Sequence, residues 1–258
     1  MKVIALGMGM QSTALYLMSS MGQFERADHA IFSDPMAEHP DTYKLVDWLL
    51  GWEKDNDGIP IHIVKKNLYK DLMEGVNHKG RKFVSIPAHG KDKLIKRQCT
   101  YDYKILPVMK KLRELHGLKP RKRMPLSEMW LGITIDEASR MKDSREPRIK
   151  NRYPFMEMMM NRSDCMYFMR DNGFPVPVKS SCVFCPYHSN SQWREHKKDK
   201  IVWDKIIKVD EAMRWSAFDA GMSEPVFLHP SLKPIDEANL GENQIDMFDN
   251  ECEGHCGL

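Results

Sequence analysis

Short apolar runs that read as strands alternate with stretches of helical period along the first half of this chain. That alternation constrains the fold more than any other feature. Val3-Ile4-Ala5-Leu6 ends in glycine, and from Gln11 to Met21 the residues Ala14, Leu15, Leu17, Met18 and Met21 recur at helical spacing. Ala30-Ile31-Phe32 is a second strand closed by Ser33-Asp34-Pro35, and a helix from about Asp41 carries Leu45, Val46, Leu49 and Leu50 on one side. Ile59 to Val64 and Met129 to Ile133 supply two more strands. Strands and helices in this order join by right-handed crossovers, which predicts an α/β protein: a three-layer α/β/α sandwich around a mainly parallel sheet. After Tyr153-Pro154 the pattern turns helical, and Ile201, Val202, Ile206, Val209 and Met213 mark a long amphipathic helix to about Ala220. The organisation expected is an α/β region over 1–160, a helical region over 161–235 and an acidic, cysteine-containing tail over 236–258.

At 258 residues with 42% hydrophobic and 29% charged residues, the chain sits in the globular range. No apolar run is long enough to span a membrane, and the opening MKVIALGMGM is unlike a secretory signal, so a cytoplasmic protein with no membrane partner is expected. The net charge of +3 hides an uneven distribution. From Asn77 to Gln98 there are seven Lys/Arg against one acid, and Lys119-Pro-Arg-Lys-Arg123 adds four more. Such loops suit a polyanion, RNA or DNA among them, or are simply solvated. From Asp236 to the end the sign reverses, with seven Asp/Glu and no Lys or Arg, so the tail has the charge to lie against the basic surface.

Ligands of a parallel sheet bind beyond the carboxyl ends of its strands, where three sequence-distant loops fall: Gly7 to Thr13, Ser33-Asp34 and Gly132 to Arg140. In the first, Gly7 and Gly9 allow close backbone approach, the helix start offers N–H groups, and Ser12 and Thr13 add hydroxyls. The loop is neither a Walker A sequence nor a G-x-G-x-x-G fingerprint, and by itself reads as a phosphate cradle or as a structural tight turn.

Taken in order, four segments resemble the phosphoadenosine phosphosulfate (PAPS) reductase family. Gly9, Gln11 and Ser12 match its Ser-Phe-Gly-x-Gln-Ser loop. Ser33 to Tyr43 is similar to its Asp-Thr-Gly…Pro-Glu-Thr-Tyr segment, and Leu131 to Arg140 to its Gly-x-Arg-Arg-x-x-Ser-x-x-Arg loop. Arg97 to Pro107 is similar to the Cys-Cys…Lys…Pro segment of iron–sulfur members. The resemblance implies an adenine nucleotide alpha-hydrolase-like fold that holds ATP, APS or PAPS on Gly7, Gly9, Gln11, Ser12 and Thr13, near Ser33, Asp34, Gly132 and Arg140. The family's paired arginines are Thr134-Ile135 here, and Arg140, Arg145 and Lys104 are the candidate replacements. Gln11 stands where the related ATP pyrophosphatases carry an aspartate able to reach magnesium.

The cysteines extend this reading. Cys182-Val-Phe-Cys185-Pro186 places two thiolates on one turn, suited to an iron–sulfur cluster or to structural zinc. Family resemblance favours the cluster and brings Cys99 as a third ligand, where the family's adjacent cysteine is Thr100; Cys165 is the candidate fourth ligand or a buried structural thiol. With all four the centre is a closed site, [4Fe–4S] or zinc; without Cys165 one iron is open. His188 and Trp193 follow the pair as candidate neighbours of the centre, whereas His39, His62 and His89 stand isolated. The tail Glu251-Cys252-Glu253-Gly254-His255-Cys256 resembles the mobile Glu-Cys-Gly-x-His end of sulfonucleotide reductases. That likeness makes Cys252 the candidate nucleophile, with His255 able to lower its pKa and Cys256 a possible thiol partner.

Two reactions fit these expectations. In one, Cys252 takes the sulfonate of APS or PAPS and a thiol reductant releases sulfite. In the other, ATP activates a nucleic-acid oxygen and a sulfur donor supplies the atom that replaces it. The contrasting expectation is a non-catalytic nucleotide- or nucleic-acid-binding protein braced by zinc.

Overall fold

The computed structural model describes residues 1–77 and 79–241. Its elements run β1 (Lys2–Ala5), α1 (Met10–Ser20), β2 (His29–Asp34), α2 (Pro40–Asp55), β3 (Ile61–Lys65) and α3 (Leu68–Glu74). A single π-helical turn, Tyr101–Ile105, then leads into α4 (Leu106–Leu115), followed by β4 (Ser127–Trp130), a 3-10 turn (Ile135–Arg140) and β5 (Ile149–Arg152). The chain continues through α5 (Pro154–Glu157), α6 (Arg162–Asp171), α7 (Asn190–Lys198) and α8 (Lys200–Asp219). The five strands form one wholly parallel sheet in the order β3-β2-β1-β4-β5. The expected α/β/α sandwich is therefore the fold.

Alternation along the strands divides the two covering layers. Ile4, Ala30, Phe32 and Trp130 point into a core with Leu15 and Leu17 of α1, Leu45 and Leu49 of α2, and Cys165 and Met169 of α6. Their neighbours Val3, Ile31, Met129 and Ile149 point the other way, onto Val108 and Leu112 of α4. A third core lies beside the sheet. Leu72 of α3, Trp193 of α7 and Ile206, Val209 and Met213 of α8 enclose Phe83, Val84 and Ile86 from one loop and Val183 and Phe184 from another.

Helix starts are fixed by side chains at most elements. His39 accepts from the Asp41 N–H ahead of α2, Asn67 caps α3, and Asp199 caps α8. Asn161 with Asp164 and Ser189 with Gln192 form reciprocal capping boxes at α6 and α7. α1, like α4 and α5, has no side-chain cap; its N-cap is Gly9. Among the described residues no helix is long and apolar enough to cross a membrane.

Candidate functional site

The order of the strands reverses at β1. The chain leaves β1 toward β2 on one side and reaches β4 on the other, so a crevice opens beyond the carboxyl ends of β1 and β4. A cleft of about 210 Å³ occupies it, bounded by the Gly7–Ser12 loop, the end of β2, the π turn, the 132–140 loop and the 177–180 segment. Sequence reasoning placed the ligand at these first loops and did not foresee the last wall.

Gly132 explains how tightly the crevice is built. A Cβ there would lie 2.9 Å from the Gln11 carbonyl carbon and the Ser12 nitrogen and 3.1 Å from the Gln11 oxygen, all backbone atoms of α1. Gly9 is the opposite case. Its φ of −90° suits any residue, and a Cβ added there meets nothing within 4 Å. Neither packing nor φ demands glycine at Gly9, which is preferred over alanine as an N-cap and leaves the backbone open to the cleft. The bend before it falls on Met8, a buried residue with φ of 57°.

Ser12 spends its hydroxyl on the loop itself, accepting from the Gly7 N–H at 3.1 Å and donating to the Gly9 carbonyl at 3.2 Å. Thr13 is fully buried and does not line the cleft. Ser33 reaches the lining but donates to the Tyr103 carbonyl at 2.8 Å. Asp34 is buried outside the lining, and one carboxylate oxygen accepts from the Met36 N–H at 2.7 Å and the Tyr43 hydroxyl at 3.0 Å, fixing the turn after β2. The polar groups left facing the cleft are thus the α1 N-terminus and the charged lining.

That lining carries four cations, Lys104, Arg140, Arg162 and Lys179, against one carboxylate, Glu137. Of the three candidate cations, Lys104 and Arg140 line the cleft, whereas Arg145 is exposed outside it. Glu137 accepts from the Gln11 side-chain amide at 3.2 Å and from the Arg140 guanidinium at 2.5 Å. Lys104 is steered from below by Glu38, whose fully buried carboxylate accepts from the Lys104 ammonium and from the Ser180 hydroxyl, both at 3.1 Å. Nothing in the local sequence marked Glu38, Arg162, Lys179 or Ser180.

Glu38 also connects the cleft to the cysteines. Its backbone bridges Cys182, and the Val183 N–H donates to Ala37 at 2.9 Å. Successive turns, Cys185 N–H to Cys182 carbonyl at 2.9 Å and His188 N–H to Cys185 carbonyl at 3.0 Å, wrap the C-x-x-C segment. Cys99 and Cys182 pack against the same core, beside α8, whereas Cys165 is fully buried under α1 in another. Burial pushes the Cys165 thiol up to about 12, with Asp164 and Asp136 adding to the shift. Among the described residues no three Cys, His, Asp or Glu side chains converge as the ligands of one metal ion must, so these residues do not by themselves complete a metal centre.

His188 and Trp193 do adjoin the pair. The His188 ring meets Trp193 edge-on at 4.9 Å, and its Nε2–H donates to the Cys182 carbonyl at 2.9 Å, since a carbonyl can only accept. His196, not singled out in the sequence, lies with its Nε2 3.3 Å from that of His188 and stacks on His39 at 5.6 Å. His39 is therefore not isolated. Burial holds His188 down to about 3 and His196 down to about 4, so both are neutral near pH 7.

The basic stretch from 79 to 96 anchors itself through buried Phe83, Val84, Ile86 and Ala88 and leaves Lys79, Arg81, Lys82, Lys91, Lys93 and Lys96 exposed. Lys119, Arg121, Lys122 and Arg123 are exposed as well. Cys252, His255 and Cys256 lie outside the described residues, as does nearly all of the acidic tail. No protein-family model matches the chain, and no curated protein matches it.

Proposed function

We propose that this protein is a PAPS reductase-like enzyme that binds an adenine nucleotide in the crevice between β1 and β4 and performs sulfur chemistry beside a cysteine-ligated iron–sulfur cluster, either reduction of a sulfonucleotide or ATP-dependent sulfur transfer to a nucleic acid. The observation that carries the reading is the cleft itself: four cations, an uncapped helix start and an open glycine converge at the switch point of a parallel sheet. A phosphoanhydride or sulfonucleotide meets each of those features, with its anionic groups toward α1, Arg140 and Lys104. Binding energy from the phosphates can then orient the reacting sulfur or phosphorus atom at the cleft mouth.

The sulfur half of the reading rests on the link between cleft and C-x-x-C. The 177–180 wall runs directly into Cys182, and Glu38 holds both. Cys99, Cys182 and Cys185 are the ligands this region offers to an iron–sulfur cluster; Cys165 belongs to another core, so a complete set draws on a donor elsewhere. Cys252 is retained as the nucleophile toward a sulfonate or as the carrier of transferred sulfur, and the exposed lysines and arginines of the 79–96 and 119–123 stretches support a nucleic-acid acceptor in the transfer reaction.

Calorimetric titration with ATP, APS and PAPS, together with iron and acid-labile sulfide analysis of anaerobically purified protein, tests both halves. Nucleotide binding, bound iron with sulfide, and turnover lost in Cys252→Ser support the proposal. Failure to bind any adenine nucleotide ends it. Stoichiometric zinc, no sulfide and intact nucleotide binding in Cys252→Ser point instead to a binding protein with a structural metal.

A further inference from the structure

The cleft contains its own anion. Glu137, the one carboxylate in the lining, lies 3.2 Å from the Gln11 amide and 2.5 Å from the Arg140 guanidinium. These are two of the side chains assigned to the nucleotide, one on the first turn of α1 and one at the end of the 3-10 turn. The Glu137 side chain is only 11% exposed. Its backbone, at φ −113° and ψ 20°, leaves helical geometry within that turn. The turn is anchored independently of the carboxylate: the Ile135 N–H donates to the Met160 carbonyl at 3.0 Å, the Asp136 carboxylate accepts from the Arg162 N–H at 3.3 Å, and the Met141 N–H donates to Ala138 at 3.1 Å. The side chain can therefore rotate away while the backbone stays in place.

We propose that Glu137 acts as a stand-in for the ligand's anionic group, holding Gln11 and Arg140 until a phosphate, or the sulfonate of a sulfonucleotide, displaces it. The inference rests on the nucleotide reading above and adds a rule of selection to it. A carboxylate bound to Arg140 is a competitor that every anionic ligand must remove, and the apparent affinity of such a ligand is reduced according to the fraction of molecules in which the site is already taken. A ligand with a multiply charged terminus replaces the lost pair with bonds at least as strong, whereas a neutral nucleoside brings nothing for Arg140. Three further cations in the same cleft, Lys104, Arg162 and Lys179, favour an anion over the empty site. The cations of the cleft thus favour phosphorylated or sulfonylated nucleotides over nucleosides, and Glu137 sets how strong an anionic group must be to displace it.

Glu137→Gln removes the charge and nearly conserves the shape, and Glu137→Ala removes the competitor altogether. Binding of inorganic pyrophosphate, ATP and adenosine to the full chain and both variants is the test. The expected result is about tenfold tighter pyrophosphate and ATP binding in either variant, on the scale of one charge-assisted hydrogen bond, with adenosine unaffected. Unchanged or weaker pyrophosphate binding in both variants overturns the proposal, and weaker binding assigns Glu137 to direct contact with the ligand. Pyrophosphate separates this idea from the adenine assignment. Tighter pyrophosphate binding without any preference for ATP upholds the displaced carboxylate and refutes the adenine site, whereas absence of binding by all three proteins refutes both.

Discussion

Replacing two glycines by alanine, one at a time, separates the architecture of the crevice from its use. Gly132→Ala forces a methyl group to within 2.9 Å of two backbone atoms at the start of α1 and 3.1 Å of a third. None is the end of a flexible side chain, so either β4's following loop or the helix must retreat. Overpacking of this kind costs about 1–3 kcal/mol. In a chain of this size each kcal/mol lowers Tm by roughly 2–4 °C, which puts the expected loss near 4–8 °C for the middle of that range.

Gly9→Ala makes no comparable contact. Alanine is a poorer N-cap than glycine by up to about 1 kcal/mol, but it removes unfolded-chain entropy worth about 0.4–1 kcal/mol, so the two effects nearly cancel. On the nucleotide reading, however, the methyl group enters the cradle where the phosphates would approach the backbone. Thermal melts of both variants, with calorimetric titration of ATP and pyrophosphate, give the comparison. Gly132→Ala should melt early, and Gly9→Ala should melt like the parent while binding at least about tenfold more weakly. A Gly9→Ala protein that binds as the parent does would falsify the cradle, and equal destabilisation of the two variants would show that the open space at Gly9 had been misread.

Glu38→Gln keeps a partner for Ser180 but removes the charge facing Lys104. It should lower stability by about 1.5–3 kcal/mol in urea unfolding, and a stability unchanged within error would show that the ion pair is dispensable. Burial, with His39 adding to it, holds the folded-state pKa of His196 at about 4, below the ordinary imidazole value near 6.5. The unfolded chain therefore takes up the proton first, so the stabilising contribution is full above about pH 6.5 and is lost as the pH falls toward 4. His196→Gln should flatten that part of the stability profile, and an unaltered slope would place the acid sensitivity elsewhere. Cys165→Ala should cost about 1–2 kcal/mol as a small core cavity and leave any bound iron or zinc in place, whereas Cys182→Ser should remove it. Metal lost from the Cys165 variant would return that thiol to the ligand set.

What the sequence disclosed and what it hid follow from the range over which each signal acts. The apolar runs at Val3, Ala30, Ile59 and Met129 mark four of the five strands because each packs apolar side chains toward both covering layers; even the edge strand β3 sets Ile61 and Ile63 against one core and Val64 against the other. β5, the other edge, escaped: it reads Ile-Lys-Asn-Arg, in which only Ile149 is apolar. The glycine loop was legible because its chemistry is local, confined to a few consecutive residues. Glu38, Lys104 and Ser180 were not legible as a unit, since they are 66 and 142 residues apart along the chain as counted from the glutamate and meet only when the C-x-x-C segment crosses the end of β2.

The same distinction bears on Asp34 and Thr13, which the motif assigned to the ligand and the fold assigns to its own interior. A side chain beside a phosphate loop has two available uses: to bond the ligand or to fix the backbone that does. Ser12, Ser33 and Asp34 all have partners within the protein, so they fix backbone. On the nucleotide reading, recognition then falls to the N–H donors at the start of α1 and to the cations around the rim. The positive charge of the cleft does not depend on residues 134 and 135: Thr134 is fully buried, while Lys104 from the π turn and Arg140 from the end of the 3-10 turn line the cleft together.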